Sequence, residues 1–258
     1  MKKRGQVSIF VILAIVGVSL ISIAVFVYLS QEPNIEGEKP EENPKYFLEN
    51  CVEEKLRESV DTISLQGGYI QKNLNITYKF ENETPQDIAY LCYNRNYYLS
   101  CINQEPMLIQ HLRNEIKEEI KDTVEDCFYN HTSTLEKQGY VVDASYRGFD
   151  VYLEYGLIII DINGNIKLTR GGETTNQENL KISYRSSLYD LAEVAQEITN
   201  QEASYCNFDQ TGYRLLNRNI NINKKRTSDS ITIYSLEDSR SKDKFRFAIR
   251  SCIIPKTI

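Results

Sequence analysis

The six cysteines, Cys51, Cys92, Cys101, Cys127, Cys206 and Cys252, are the residues of this chain with the widest chemical range. Cysteine thiolates ligate zinc, run redox exchange or attack carbonyls, or they are consumed in disulfides. No two stand in a close C-x-x-C pair, and only two histidines, His111 and His131, are available to help them. A Cys/His metal centre therefore has no spacing to build on. The even number instead predicts three disulfides in an oxidising, extracytoplasmic compartment, which would leave no thiol nucleophile. Neither histidine lies in H-E-x-x-H, and His111 reads as a surface or half-buried helix residue. A G-x-S-x-G elbow and the Walker-type and dinucleotide glycine patterns are absent. The sequence thus predicts no catalytic residue, no metal and no cofactor.

Carboxylates are the remaining route to catalysis, and there are 36 Asp and Glu. Asp150, Glu154 and Asp161 fall on or beside one hairpin. They would serve an envelope hydrolase only if two of them stood roughly 5–9.5 Å apart. Asp161-Ile-Asn163-Gly-Asn165 has the look of a calcium loop, but its Gly is fourth instead of sixth and no Glu closes the twelfth place. Tyr90, Tyr93, Tyr97 and Tyr98 cluster between Cys92 and Cys101 or just before them. Such rings make binding surfaces, and they equally make sheet packing. Three N-x-S/T triplets, at Asn75, Asn82 and Asn130, are candidate glycosylation positions.

These residues need elements to hold them. Asn43 caps a predicted helix that starts at Pro44, carries Phe47, Leu48, Cys51, Val52, Leu56, Val60 and Ile63 on one face, and stops at Gly67-Gly68. A second helix is expected from about Glu105 to Tyr129, with Ile109, Leu112, Ile116, Ile120, Val124 and Cys127 as its apolar stripe. The acids and lysines between Glu115 and Asp122 form its wet face. From Val141 the period becomes two, giving strands at 141–146, 150–155, 157–162 and 166–169, with Asn163-Gly164 as a hairpin turn between the last two. A strand at 180–184 and a third helix from Ser187 to about Ala203 follow. Further strands are expected at 213–222, 230–236 and 245–253, with Lys224-Lys225-Arg226 in a turn. Cys51 and Cys127 lie on the apolar stripes of two helices, and Cys92 and Cys101 flank one loop. Cys206 and Cys252 are left to each other, although six cysteines allow fifteen connectivities.

The N-terminus decides where this domain sits. Lys2, Lys3 and Arg4 precede Val7–Leu29, which is 23 residues without a charge. As a helix that run is roughly 35 Å long, against a hydrocarbon core of about 30 Å. A cleavable secretory signal has a shorter apolar region and a small-x-small cut site, so the span is expected to be retained. Basic residues before it favour the cytoplasmic side and send the C-terminal bulk outward. Beyond the head, 27 Lys and Arg face 36 acids. A formal charge of about −9 does not seek nucleic acid or anionic lipid.

The head itself, Lys3-Arg4-Gly5-Gln6-Val7-Ser8, resembles the class III signal peptide of archaeal pilin-like proteins. The resemblance covers about thirty of the 258 residues. It implies a membrane peptidase that cuts between Gly5 and Gln6 and leaves the apolar helix on the mature protein. Phe10 stands where pilus-forming members commonly carry Glu. The stretch after Leu29, SQEPNIEGEKPEEN, breaks the apolar helix with Pro33 and Pro40 and reads as an acidic tether.

The chain is accordingly expected to hold a signal-anchor helix at 1–29, a Pro-rich acidic tether at 30–43 and an extracytoplasmic domain at 44–258. The domain's fold class is α+β, a mainly antiparallel sheet with about three packed helices, braced by disulfides. Its partners are the membrane, through a single span, and other envelope or surface proteins, with no nucleic acid. The expected role is a cell-surface structural or adhesive protein with pilin-like targeting and no enzymatic activity. A tethered ligand-binding or sensor module is the alternative.

Overall fold

The computed structural model describes residues 43–252, apart from residues 72–73, 82, 97–98, 179 and 228–229. The expected anchor, the Gly5-Gln6 cut, residues 30–42 of the tether, Asn82, Tyr97 and Tyr98 all lie outside the described residues. Among the described residues no helix is long and apolar enough to cross a membrane.

In chain order the elements are α1 (Pro44–Leu65), β1 (Asn75–Tyr78), β2 (Gln86–Tyr93), β3 (Ile102–Asn103), α2 (Leu108–Lys137), β4 (Val141–Glu154), β5 (Leu157–Arg170), β6 (Glu173–Gln177) and β7 (Leu180–Arg185). Then come α3 (Leu188–Tyr205), α4 (Gln210–Leu216), β8 (Ile220–Arg226), β9 (Ile231–Asp238) and β10 (Lys244–Arg250). The class is α+β with mainly antiparallel sheets, as the periodicities predict. One sheet has six strands, in the order β1-β2-β10-β9-β8 with β3 also on β2. Its pairings are antiparallel except β2 with β10. The other has four strands, with β4 on one side of β5 and with β6 and β7 sharing β5's other side.

Helix α1 starts and stops where its sequence says. The Asn43 side chain accepts the N–H groups of Lys45 at 3.0 Å and Tyr46 at 3.4 Å, with Pro44 at the first helical position. At the far end Gly67 and Gly68 take φ of 75° and 96°, and the Gly68 N–H returns to the Ile63 carbonyl at 2.8 Å. Helix α2 runs antiparallel to α1, tied to it by Cys51–Cys127 and by ion-paired Lys55 and Glu119. Its 30 residues make a rod of about 45 Å. Leu112, Ile116, Ile120 and Val124, all fully buried, press against Leu48, Val52 and Leu56 of α1 and onto β4. Helix α3 lies on the six-stranded sheet, where Leu191, Ala195 and Ile198 join Phe245, Phe247 and Leu236 in the same core.

The structure departs from the sequence reading at several places, beginning with α2, which runs eight residues past Tyr129 to Lys137, and β6, a strand beyond those expected. Asn163-Gly164 is not a turn: β5 runs straight through it, and the hairpin closes at Tyr155-Gly156, where Gly156 has φ 70°. Gly164 is needed for closeness, because a Cβ there would stand 2.6 Å from the Ser145 carbonyl with the Phe128 ring 3.4 Å away. β4 also continues, through a bulge between Tyr146 and Phe149 in which Gly148 has φ 93°. Residues 210–216 form α4, with no buried residue, in place of the start of a strand, and Lys224-Lys225-Arg226 belong to β8. Ser187 does not cap α3 with its side chain; the Leu188 N–H goes to the Ser186 hydroxyl at 3.1 Å.

Candidate functional site

The cysteines pair as Cys51–Cys127, Cys92–Cys101 and Cys206–Cys252, and none is free. The first joins α1 to α2. The second closes the β2–β3 hairpin, whose ladder sets Cys92 opposite Asn103 and Tyr93 opposite Ile102. The third joins Cys206, at the end of α3, to Cys252, two residues past β10. Because β2 and β10 run parallel and α3 ends beside them, the last two disulfides share one end of the six-stranded sheet.

That end is the candidate contact surface. Asn94 organises it: its N–H reaches the Arg250 carbonyl at 3.1 Å and its side-chain amide donates to the Leu99 carbonyl. Tyr90 points into the core and is only 6% exposed, packed with Phe80, Ile88 and Ile233. Tyr93 is half-buried, edge-on to Tyr90 at 5.1 Å, and its hydroxyl accepts from Arg250 at 3.0 Å. The apolar residues that meet solvent here are others: Leu99, Ile102 and Met107, exposed by 54%, 72% and 68%. Sequence reasoning fixed on the tyrosines and passed over these three; the available signal was their place within the disulfide-closed loop (Leu99) or just after it (Ile102 and Met107).

The carboxylates of the β4–β5 hairpin come together without forming an acid–base pair. Asp150 and Asp161 stand directly opposite each other in the ladder. Asp150, however, pairs with Lys117 at 2.9 Å and Asp161 with Lys181 at 3.0 Å. The hydrogen bond from Lys117, first, and its charge hold the Asp150 carboxyl below its ordinary value, the reverse of a general acid. Glu154 is exposed opposite Leu157.

Two clefts hold acids whose protonation is displaced. A cavity of about 300 Å³ between α1, β7 and the β9–β10 turn is lined by Asp61, Tyr184, Arg185, Asp243 and Lys244. Burial pushes the Asp61 carboxyl up; Arg57 opposes this and Asp243 adds to it. Asp243 is committed to the Ser187 N–H, at 2.7 Å, and so fixes the start of α3. A second cleft, of about 450 Å³, holds Tyr155, Asp190, Tyr213, Asp238 and Arg240. Burial raises Asp190, against a hydrogen bond from the Gly156 N–H at 3.1 Å. Burial also pushes Asp238 upward, but the Arg240 guanidinium and the N–H groups of Arg240 and Ser241 outweigh it and hold that carboxyl low. Both acids thus brace turns: Asp190 the β4–β5 hairpin, Asp238 the β9–β10 hairpin.

No group of three or more His, Cys, Asp or Glu among the described residues could hold a metal. His111 bonds the Gly68 carbonyl at 2.8 Å through Nε2 and packs tilted against the Tyr69 ring at 4.2 Å, a structural post at the α1 terminus. His131 is fully buried against Phe47, ring to ring at 4.6 Å, and neither ring nitrogen has a partner among the described residues. Asn75 and Asn130, the two described glycosylation candidates, are exposed, on β1 and on α2. No family model, curated protein or solved structure matches the chain.

Proposed function

We propose that this chain is a membrane-held surface protein whose folded domain works outside the cytoplasm by contact and not by catalysis. The observation that carries the reading is the pairing of all six cysteines into three bridges, one between two helices, one closing a hairpin and one tying the end of α3 to the chain after β10. Thiols so placed would stay reduced in the cytosol, and a domain built on them suits an oxidising compartment. The uncharged run Val7–Leu29 behind a basic head, and the exposed Asn75 and Asn130, support the same side of the membrane. The role is structural or adhesive, with the pilin-like head as the targeting device. The described carboxylates support a non-enzymatic reading, since Asp150, Asp161, Asp238 and Asp243 are each held by a lysine, an arginine or a backbone N–H.

The test is made on the protein from its own membrane. N-terminal sequencing should begin at Gln6 or show an uncut anchor. Membrane-impermeant labelling of whole cells should reach the domain, and non-reducing peptide mapping should find no free thiol. A cytoplasmic domain, or two or more free cysteines, ends the reading.

Leu99, Ile102 and Met107 favour the second reading, a tethered module that binds an envelope component at its disulfide-closed end. An envelope extract that raises the melting temperature of the wild type, but not of Ile102→Ser, would select it.

A further inference from the structure

We propose that two copies of this chain pair through the free edges of β4, in antiparallel register about a two-fold axis at Ala144. This goes beyond the surface reading and does not depend on it. Among the described residues β4 is an edge strand over its whole length, with β5 on one side and no strand on the other. The directions of its backbone groups follow from the hairpin. A two-residue turn at Tyr155-Gly156 makes Glu154 and Leu157 bond each other, and alternation then turns Val151 outward. The Val151 carbonyl indeed accepts from the Arg113 side chain at 2.7 Å, away from β5. Beyond the bulge the alternation along β5 directs Val141, Asp143 and Ser145 inward to Thr169, Lys167 and Asn165. Val142, Ala144 and Tyr146 therefore present their N–H and C=O groups outward. Among the described residues nothing bonds these groups.

The edge is protected in one half and open in the other. Arg113 and the bulge blunt residues 147–153, two recognised ways of keeping an edge from pairing. Residues 141–146, about 20 Å of strand, carry neither device. Their sequence is complementary to itself. Centring the two-fold on Ala144 sets Val142 opposite the other copy's Tyr146, twice, and a β-branched residue opposite an aromatic is a favourable cross-strand pair. On the other sheet face Asp143 comes opposite Ser145 of the other copy and diagonal to its Arg147, so charges meet with opposite sign. Tyr129 of α2, 51% exposed and 6.1 Å from the Tyr146 ring, stands over the same edge and would be covered by the second copy. The pairing would join two four-stranded sheets into one of eight strands.

The experiment uses the full chain extracted in mild detergent. Sedimentation over a dilution series should show a reversible dimer. Ala144→Pro removes the central outward donor without touching a bond to β5, and should weaken the dimer at least tenfold. In the paired register the two Ala144 Cα atoms lie about 5.5 Å apart, within disulfide reach. Ala144→Cys should therefore form a covalent dimer under mild oxidation while Lys167→Cys, inside the same sheet, does not. This second variant carries the test should the proline variant fail to fold. A monomer at every concentration, a dimer indifferent to Ala144→Pro, or equal cross-linking of both cysteine variants would each overturn the proposal. So would concentration-independent protection of the Val142, Ala144 and Tyr146 amides from hydrogen exchange, which would mean the edge is covered within one copy.

Discussion

Replacing His131 with Phe should make the domain more stable, and more so as the solution becomes acidic. The imidazole is fully buried between α1 and α2, its ring tilted against that of Phe47, with both nitrogens unpartnered among the described residues. Burial alone moves its pKa from 6.5 down to about 4. The folded state thus holds the ring neutral while the unfolded chain takes up a proton below about 6.5. Where the unfolded state binds more protons, stability rises with pH. The histidine's penalty is therefore absent above pH 7, grows as pH falls through 6.5, and is complete below about 4. A displacement of about 2.5 units corresponds to about 3 kcal/mol at its limit, and to about 2 kcal/mol between pH 7 and pH 5. Phe keeps the ring and its contact with Phe47, removes the titration and relieves two unsatisfied polar atoms, each costing about 1–3 kcal/mol. The chain has no Trp, so melting is best followed by far-ultraviolet circular dichroism. The wild type should lose about 4–8 °C between pH 7 and pH 5 relative to His131→Phe. Melting curves of the two proteins that shift in parallel over that range would refute the argument.

Four other variants probe the fold. Gly164→Ala places a methyl 2.6 Å from the Ser145 carbonyl. It should cost about 1–3 kcal/mol by forcing β4 and β5 apart, read as a lower melting temperature. Arg246→Met removes a buried guanidinium that holds Glu83 through two bonds, at 2.6 and 2.8 Å, and covers the Phe80 ring at 3.8 Å. It should cost about 3 kcal/mol in urea unfolding. Glu83 is held below its ordinary pKa by that hydrogen bond first. Its stabilising share is present above about 4.5 and lost as pH falls, so the variant should lose this acid limb. Opening the Cys51–Cys127 bridge with paired serines should cost about 4–5 kcal/mol, against about 2–3 for Cys92–Cys101. Loop-closure entropy grows with the enclosed length, here separations of 76 and 9 residues. Equal losses would show that local packing, and not the length of the closed loop, sets the effect.

What could be read in advance was what is local. The Asn43-Pro44 start of α1, its Gly67-Gly68 stop, and the apolar stripes of α1, α2 and α3 need no partner to be recognised. The bridges follow from those stripes, since Cys51 and Cys127 mark the buried faces of two adjacent helices. Most of the misreadings are decided by something distant. Asn163-Gly164 has turn chemistry, but Phe128, 36 positions earlier, needs Gly164 as a place to lie, so the strand goes on. Tyr90 looks like part of a sticky surface until β10 pairs beside β2 and carries its ring into the core. α4 buries nothing, so it leaves no stripe to find. The exposed apolar residues Leu99, Ile102 and Met107 were missed because their exposure depends on where the β2–β3 loop, β3 and α2 lie. The free edge of β4 belongs to the same class: strands can be found by period two, but which of them ends a sheet cannot.

The placement of the bridges has a mechanical consequence. A pull applied to the domain from the N-terminal side reaches Cys51 after a single short stretch of α1, and the bond to Cys127 hands the load to the middle of α2. The chain between those two cysteines, with β1, β2 and β3, is bypassed and contributes no extension. At the other terminus Cys252, the last described residue, is fastened to Cys206, so a pull from that side is taken at the end of α3. A domain fastened this way can peel by only a few residues at either end before covalent bonds carry the force. Between Cys127 and Cys206 no bridge shortens the chain, so further extension is resisted there by the packing of β4 to β7 and α3, and the bridges confine yielding to that segment.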